Sequence, residues 1–218
     1  MIEKEMNELK KSIVGYSSFV LRMVEDSIKA LTEKDEMLLK KVIGEYEDKA
    51  NLLEIEIDEQ SIELIAKYQP KAKNLRTTLM IMRMNNDLER AADEAVNMAE
   101  GALYVIARPE VKKLIDIPRM ADIAMSMLKD GMDSFINEDA VLARSVCRRD
   151  EDVDSLRDQV IRELITYMIS DSGTIERSLN LMRIARAIER IGDLATNFGE
   201  DVVFMVTGKI IKHHQDEK

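Results

Sequence analysis

Apolar residues early in the chain return every three or four positions: Leu9, Ile13, Tyr16, Val20, Val24, Ile28 and Leu31. That spacing puts them on one face of a helix over roughly residues 3–32. Thr32-Glu-Lys-Asp35 interrupts the stripe, and Asp35 is placed to cap a second helix. This helix runs through Leu39, Val42, Tyr46, Leu53, Ile57 and Leu64 to about Tyr68. Gln69-Pro70 ends it, because proline disfavours helix in the residue before it. A third helix covers about residues 72–106 and stops at Arg108-Pro109. The grammar then repeats. Pro118 opens a fourth helix reaching about Ile136, Asn137-Glu-Asp139 punctuates, and a fifth helix continues to about Ser170. After Ser172-Gly-Thr174, with Thr174 as cap, a sixth helix runs to about Val206 and stops at Thr207-Gly208. No stretch alternates as a strand does. The expected fold is all-α: two tandem three-helix repeats, residues 1–108 and 109–218, packed as an elongated antiparallel bundle.

The repetition extends to individual residues. Arg83-Met-Asn-Asn-Asp-Leu-Glu-Arg-Ala-Ala-Asp-Glu-Ala-Val-Asn97 returns as Arg183-Ile-Ala-Arg-Ala-Ile-Glu-Arg-Ile-Gly-Asp-Leu-Ala-Thr-Asn197. Without gaps, residues 54–97 align on 154–197, so one structural unit is used twice. The breaks at Asp35 and Asp139 lie 104 residues apart, whereas later elements lie 100 apart. Helix five is therefore about one turn shorter than helix two, and the loss falls before residue 154.

Composition narrows the class. Charged residues make up 34% of the chain and the formal net charge is −10, which opposes binding to nucleic acid or to an anionic membrane surface. The apolar runs are too short to span a bilayer, and Met-Ile-Glu-Lys-Glu at the N-terminus lacks a signal-peptide pattern. Cys147 is the single cysteine, which suits a reducing cytoplasm. Arg148 and Arg149 beside it could lower its thiol pKa, but a structural cysteine is the stronger reading. The fifteen Met residues fall mostly at apolar helix positions, where they fill core space.

The chemistry resides in the repeated acids. Residues four apart in a helix differ by only about 40° in direction. Glu89, Asp93 and Asn97 therefore share one face, as do Glu189, Asp193 and Asn197. The apolar stripes of both helices lie elsewhere, so the acids belong on an outer surface or groove. Leu79, Met82, Leu179 and Met182 fall on the same side, which leaves that face apolar at one end and acidic at the other. Arg90–Asp93, Arg190–Asp193 and Arg186–Glu189 could be ordinary surface ion pairs worth a few tenths of a kcal/mol, roughly. Against that, like charges one turn apart repel, yet the arrangement holds register twice while neighbouring positions drift. Paired carboxylates on adjacent helices suit hard cations such as Mg²⁺, Mn²⁺, Ca²⁺ or iron. Asp150, Asp154 and Asp158 on helix five could add oxygens, Asp154 and Asp158 foremost; Glu47, Asp48, Glu54 and Asp58 are the weaker counterparts on helix two. The second site thus has the more regular supply of ligands. His213 and His214 sit in the tail, and no nucleophile–base set, Walker loop or glycine-rich fingerprint occurs, so no catalytic residue is assigned and an enzyme is not expected.

Leu88-Glu-Arg-Ala-Ala-Asp93 and Ile188-Glu-Arg-Ile-Gly-Asp193, together with Ile65-Ala-Lys-Tyr-Gln-Pro70, Leu75-Arg76 and Val153-Asp154 leading to Leu164-Ile-Thr-Tyr-Met168, resemble the PhoU family over nearly the whole chain. The resemblance implies a cytoplasmic repressor of the phosphate-starvation response that links the ATPase of a phosphate ABC transporter to a membrane sensor histidine kinase and restrains uptake. It also implies metal ions (iron, or a cation such as Mn, Mg or Zn) on Glu89, Asp93, Glu189 and Asp193. Ala91-Ala92 departs from the family's Ile-Gly, which stands intact at Ile191-Gly192. The long amphipathic helices are compatible with a homodimer. The competing reading is a metal-independent helical adaptor whose acidic faces dock partner proteins.

Overall fold

The computed structural model describes residues 2–209, all helices and connections, with no strand among the described residues. His213 and His214 lie outside them. Eight α-helices follow in order: α1 (Ile2–Glu33), α2 (Glu36–Lys41), α3 (Glu47–Tyr68), α4 (Ala72–Ile106), α5 (Asp116–Asn137), α6 (Ala140–Cys147), α7 (Asp150–Ser170) and α8 (Ile175–Thr207). A π-helical turn, Val42–Tyr46, joins α2 to α3, and a 3₁₀ turn, Ser172–Thr174, precedes α8.

The apolar stripes become the core. Leu9, Ile13, Tyr16, Val20, Val24, Ile28 and Leu31 of α1 are all buried, as are Met84, Leu88, Ala91 and Ala95 of α4 and Ile184, Ile188, Ile191, Ala195 and Phe198 of α8. The longest seam runs between α4 and α8. They are antiparallel, since Arg83 meets Asp201 (3.2 Å) near one end while Arg183 meets Asn97 and Glu100 (both 2.8 Å) near the other. On one side of this pair α1 and α3 pack against α4; on the other, α5, α6 and α7 pack against α8. Contact between α1 and α5 completes the junction of the two halves.

Two of the six expected helices are interrupted. The second is wound as a π turn at Val42–Tyr46, and the fifth breaks at Arg148-Arg149 between α6 and α7. Both interruptions fall where the spacing between the halves changes from 104 to 100 residues. A π turn absorbs extra residues in a helix without unpairing its backbone, and the shorter half breaks at the same place. Periodicity continues through both points, which is why it does not reveal them.

The caps follow the sequence more closely. Asp35 accepts the backbone N–H of Leu38, and Asp139 those of Val141 and Leu142. The residues before them, Lys34 and Glu138, both adopt left-handed backbone, with φ of 58° and 53°. Thr174 stands at the start of α8 but makes no side-chain cap; Asp171 instead accepts the Gly173 N–H within the 3₁₀ turn. Gly208 closes α8 at φ 73°, where glycine avoids the Cβ clash.

Candidate functional site

Glu89 and Asp93 stand one turn apart on α4, Glu89 half-buried and Asp93 at the surface. Glu54 and Asp58 join them from α3. Asn85, one turn before Glu89 and fully buried, donates its side-chain N–H groups to the Glu54 carbonyl (2.9 Å) and to an Asp58 carboxylate oxygen (3.0 Å). Those bonds clamp α3 onto α4. From beneath, α1 contributes Tyr16, fully buried, whose hydroxyl has no hydrogen-bond partner. Burial raises its pKa first, and the charges of Glu89, Glu54 and Asp93 raise it further. No lysine or arginine lies within ion-pair distance of Glu54, Glu89 or Asp93 among the described residues. Their carboxyl pKa values all stand above the ordinary range. Burial is the largest cause for each, followed by Asp93 and Glu54 for Glu89, by Glu94 for Asp93, and by Asp58 for Glu54.

The second cluster has more acids and a different centre. Glu189 and Asp193 of α8 lie close to Asp150, Asp154 and Asp158 of α7. Between them lies Arg157, whose guanidinium reaches Glu189 at 2.5 Å, Asp154 at 3.0 Å and Asp158 at 2.9 Å. Asp193 keeps much of its surface in solvent, yet its pKa is raised to about 6, chiefly by desolvation and then by Asp150, Glu189 and Asp154, with Arg157 opposing. Gly192 faces α7: a Cβ there would sit 3.5 Å from an Asp150 carboxylate oxygen. By the 100-residue register Gly192 replaces Ala92 of the first half, and Arg157 replaces Ile57.

The surface ion pairs that could have absorbed the motif are not formed. Arg90 leans on Asp87 (3.6 Å), Arg190 crosses to Glu94 on α4 (2.8 Å), and Glu189 goes to Arg157. Asn97 accepts from Arg183, while Asn197 lines a groove of about 540 Å³ with Arg90, Glu94, Arg190 and Asp193. Leu79 and Leu179 are 43% and 53% exposed at the far ends of the acidic faces, whereas Met182 is buried. Cys147 is the structural cysteine: its thiol pKa is pushed up to about 11, by burial first, and its Sγ lies 3.6 Å from the Ala143 carbonyl.

All the donors gathered here are oxygens, which fits a hard cation. The orphaned Tyr16 hydroxyl and the mutually repelling acids of the first cluster fit a positive charge as well. Among the described residues, however, no three Asp, Glu, His or Cys side chains are already arranged around one point as a metal site. Tyr16, Asn85 and Arg157 escape sequence reasoning that looks for identity between the repeats. Their signal is the reverse, since Met120, Ala185 and Ile57 stand at the corresponding positions.

A PhoU domain model matches residues 13–102 and again 117–202, in the register that aligns α1 with α5. The chain belongs to the PhoU family. It is 37% identical over 216 residues, 99% of its own length and 97% of the relative's, to the phosphate-specific transport system accessory protein PhoU homolog of Aquifex aeolicus. The crystal structure of PhoU from Pseudomonas aeruginosa superposes with a TM-score of 0.91 at 32% identity, covering 96% of this chain and 100% of that one. The phosphate transport system regulatory protein PhoU from Streptococcus pneumoniae gives 0.88 at 26% identity, over 96% and 99%. No described helix is long and apolar enough to cross a membrane.

Proposed function

We propose that this chain is a non-enzymatic accessory protein of phosphate-specific transport, a helical scaffold that restrains phosphate uptake and represses the phosphate-starvation response. The observation that carries the reading is the twice-repeated Glu-x-x-x-Asp pair, held on solvent-facing sides of the two central helices of a PhoU fold. Glu89, Asp93, Glu189 and Asp193 would hold a hard cation with Glu54, Asp154 and Asp158 beside them, iron, Mn, Mg or Zn being the candidates. A bound cation would neutralise crowded carboxylates and join the helices that carry them. The partners in this reading are the transporter's ATPase and a membrane sensor kinase, met on the cytoplasmic side.

A second reading, a metal-independent adaptor, is favoured by two observations: no ready-made three-ligand site among the described residues, and Arg157 already lodged in the second cluster. Deleting the gene in its host and measuring phosphate uptake and a starvation-responsive phosphatase in rich phosphate tests the role. Derepression of both is expected; unchanged uptake and reporter would sink the phosphate reading. Complementing with a Glu89→Ala, Asp93→Ala, Glu189→Ala, Asp193→Ala variant separates the two readings. The metal-dependent one requires bound metal and repression to be lost together.

A further inference from the structure

Helix α3 carries apolar residues on two faces. Ala50, Ile57 and Leu64 turn inward with Ser61 and are buried. Leu52, Ile55 and Ile62 fall on the opposite side, since each residue turns the helix by about 100°. They are 62%, 51% and 59% exposed. With exposed Glu59 between them they step by three, four and three residues, the interval of a coiled-coil seam. The row runs for about 15 Å along the helix, roughly three turns, which is long enough to seat a short partner helix. The fold does not require it. By the 100-residue register the same positions of α7 hold Asp152, Ser155 and Arg162, and all three are exposed. Scattered apolar residues are ordinary on a surface, but three in one row, where the twin helix is polar, present a face to another molecule.

The charge around the row decides what that molecule is. α3 has seven carboxylates and two lysines. Lys67 is paired with Glu63 (3.6 Å), and Lys49 lies over the Phe19 ring (4.6 Å). Glu56 and Glu59, which flank and interrupt the row, have no lysine or arginine at ion-pair distance among the described residues. A second copy of this chain would bring the same carboxylates against them, and like charges oppose that pairing. Nucleic acid and an anionic membrane surface are opposed in the same way. We propose that the outer face of α3, centred on Leu52, Ile55, Glu59 and Ile62, docks a basic amphipathic helix of a partner protein. The partner's apolar row covers the three aliphatic side chains, and its lysines or arginines meet Glu56 and Glu59. The inference rests on the scaffold reading above and deepens it by giving the kind of segment a partner presents.

The test places photo-reactive benzoylphenylalanine at Leu52 or at Ile62 of the full chain in its host and maps the cross-linked residues by mass spectrometry. Cross-links are expected to a segment with helical apolar spacing flanked by lysine or arginine, and none when the same group replaces Ser155 or Arg162. In solution the probe is a fluorescein-labelled peptide of leucine and lysine, with leucines at coiled-coil spacing, read by anisotropy against the purified full chain. Leu52→Asp, Ile55→Ser and Ile62→Arg together copy the second half into the first and leave the net charge unchanged. They should weaken the peptide about tenfold while thermal unfolding stays in place. Glu56→Lys with Glu59→Lys keeps the apolar row and should weaken it by a similar factor. A version of the peptide with glutamate for lysine should not bind. Cross-links to a second copy of this chain or to an acidic or non-helical segment overturn the proposal. So does the absence of any cross-link, or peptide affinity that survives either set of substitutions. Phosphate uptake after gene deletion is a separate readout, so each of these results leaves the phosphate reading standing.

Discussion

Tyr16 shows how a single buried atom can carry a stability cost. Its hydroxyl is buried without a partner, and Phe keeps the ring and removes the stranded group. Tyr16→Phe should therefore stabilise the chain by about 1 kcal/mol, measurable by urea unfolding. A loss of stability would mean that the hydroxyl has a partner in solution. Cys147 makes a different residue-scale prediction. With its pKa raised from 9.0 to about 11, the neutral thiol is the form the fold favours. The unfolded thiol ionises first, so this contribution to stability is complete below pH 9 and is lost as pH rises through about 11. At pH 8 the native thiol should alkylate with iodoacetamide roughly a hundredfold more slowly than in the urea-unfolded chain, from its smaller thiolate fraction. Comparable rates would place Cys147 in an open environment. Both residues are named easily in the sequence, but neither environment is readable there, because each is built by helices far apart in the chain.

At the scale of elements, the first connection of each half repeats as faithfully as the motifs. Left-handed Lys34 followed by capping Asp35 recurs as left-handed Glu138 followed by capping Asp139. Asp35→Ala and Asp139→Ala should each cost about 1 kcal/mol in thermal or urea unfolding, the usual worth of an N-cap. The helix that follows is tied to its neighbour at its interruption in both halves. The Tyr46 hydroxyl donates to Asp26 (3.0 Å) in the first, and Arg149 pairs with Asp130 (2.6 Å) in the second. Where α6 crosses α8, Gly199 is the contact point. A Cβ there would lie 2.6 Å from the Ala143 carbonyl oxygen and 2.9 Å from the Cys147 sulfur. Gly199→Ala should therefore destabilise by about 1–3 kcal/mol, through backbone displacement of α6. A silent substitution would show that α6 packs more loosely than the structure shows. The helix faces, turns and caps were legible in the sequence because each is set by neighbours within a few residues. The π turn and the Arg148-Arg149 break were not, because the apolar pattern runs through them; the only clue was the change of spacing between the halves.

For the molecule as a whole, the seam between α4 and α8 joins two units that each leave an apolar face uncovered without the other. Residues 1–108 alone should fail to form a cooperatively folded monomer and should instead dimerise through α4 or aggregate, as seen by sedimentation and thermal unfolding. A stable monomer would show that the halves are independent domains. What the sequence by itself determined was the all-α class, the two-fold internal repeat, and the solvent-facing placement of Glu89, Asp93, Glu189 and Asp193. All of these follow from spacing along one helix, which is local information. The tertiary structure alone decided which of these acids meet a basic side chain. By its row of aspartates the second site looked the richer; in the fold Arg157 sits among those aspartates, while Glu54, Glu89 and Asp93 of the first site have no lysine or arginine at ion-pair distance. Charge acts across space, and the side chains that meet at a cluster come from helices whose separation in sequence says nothing about their distance.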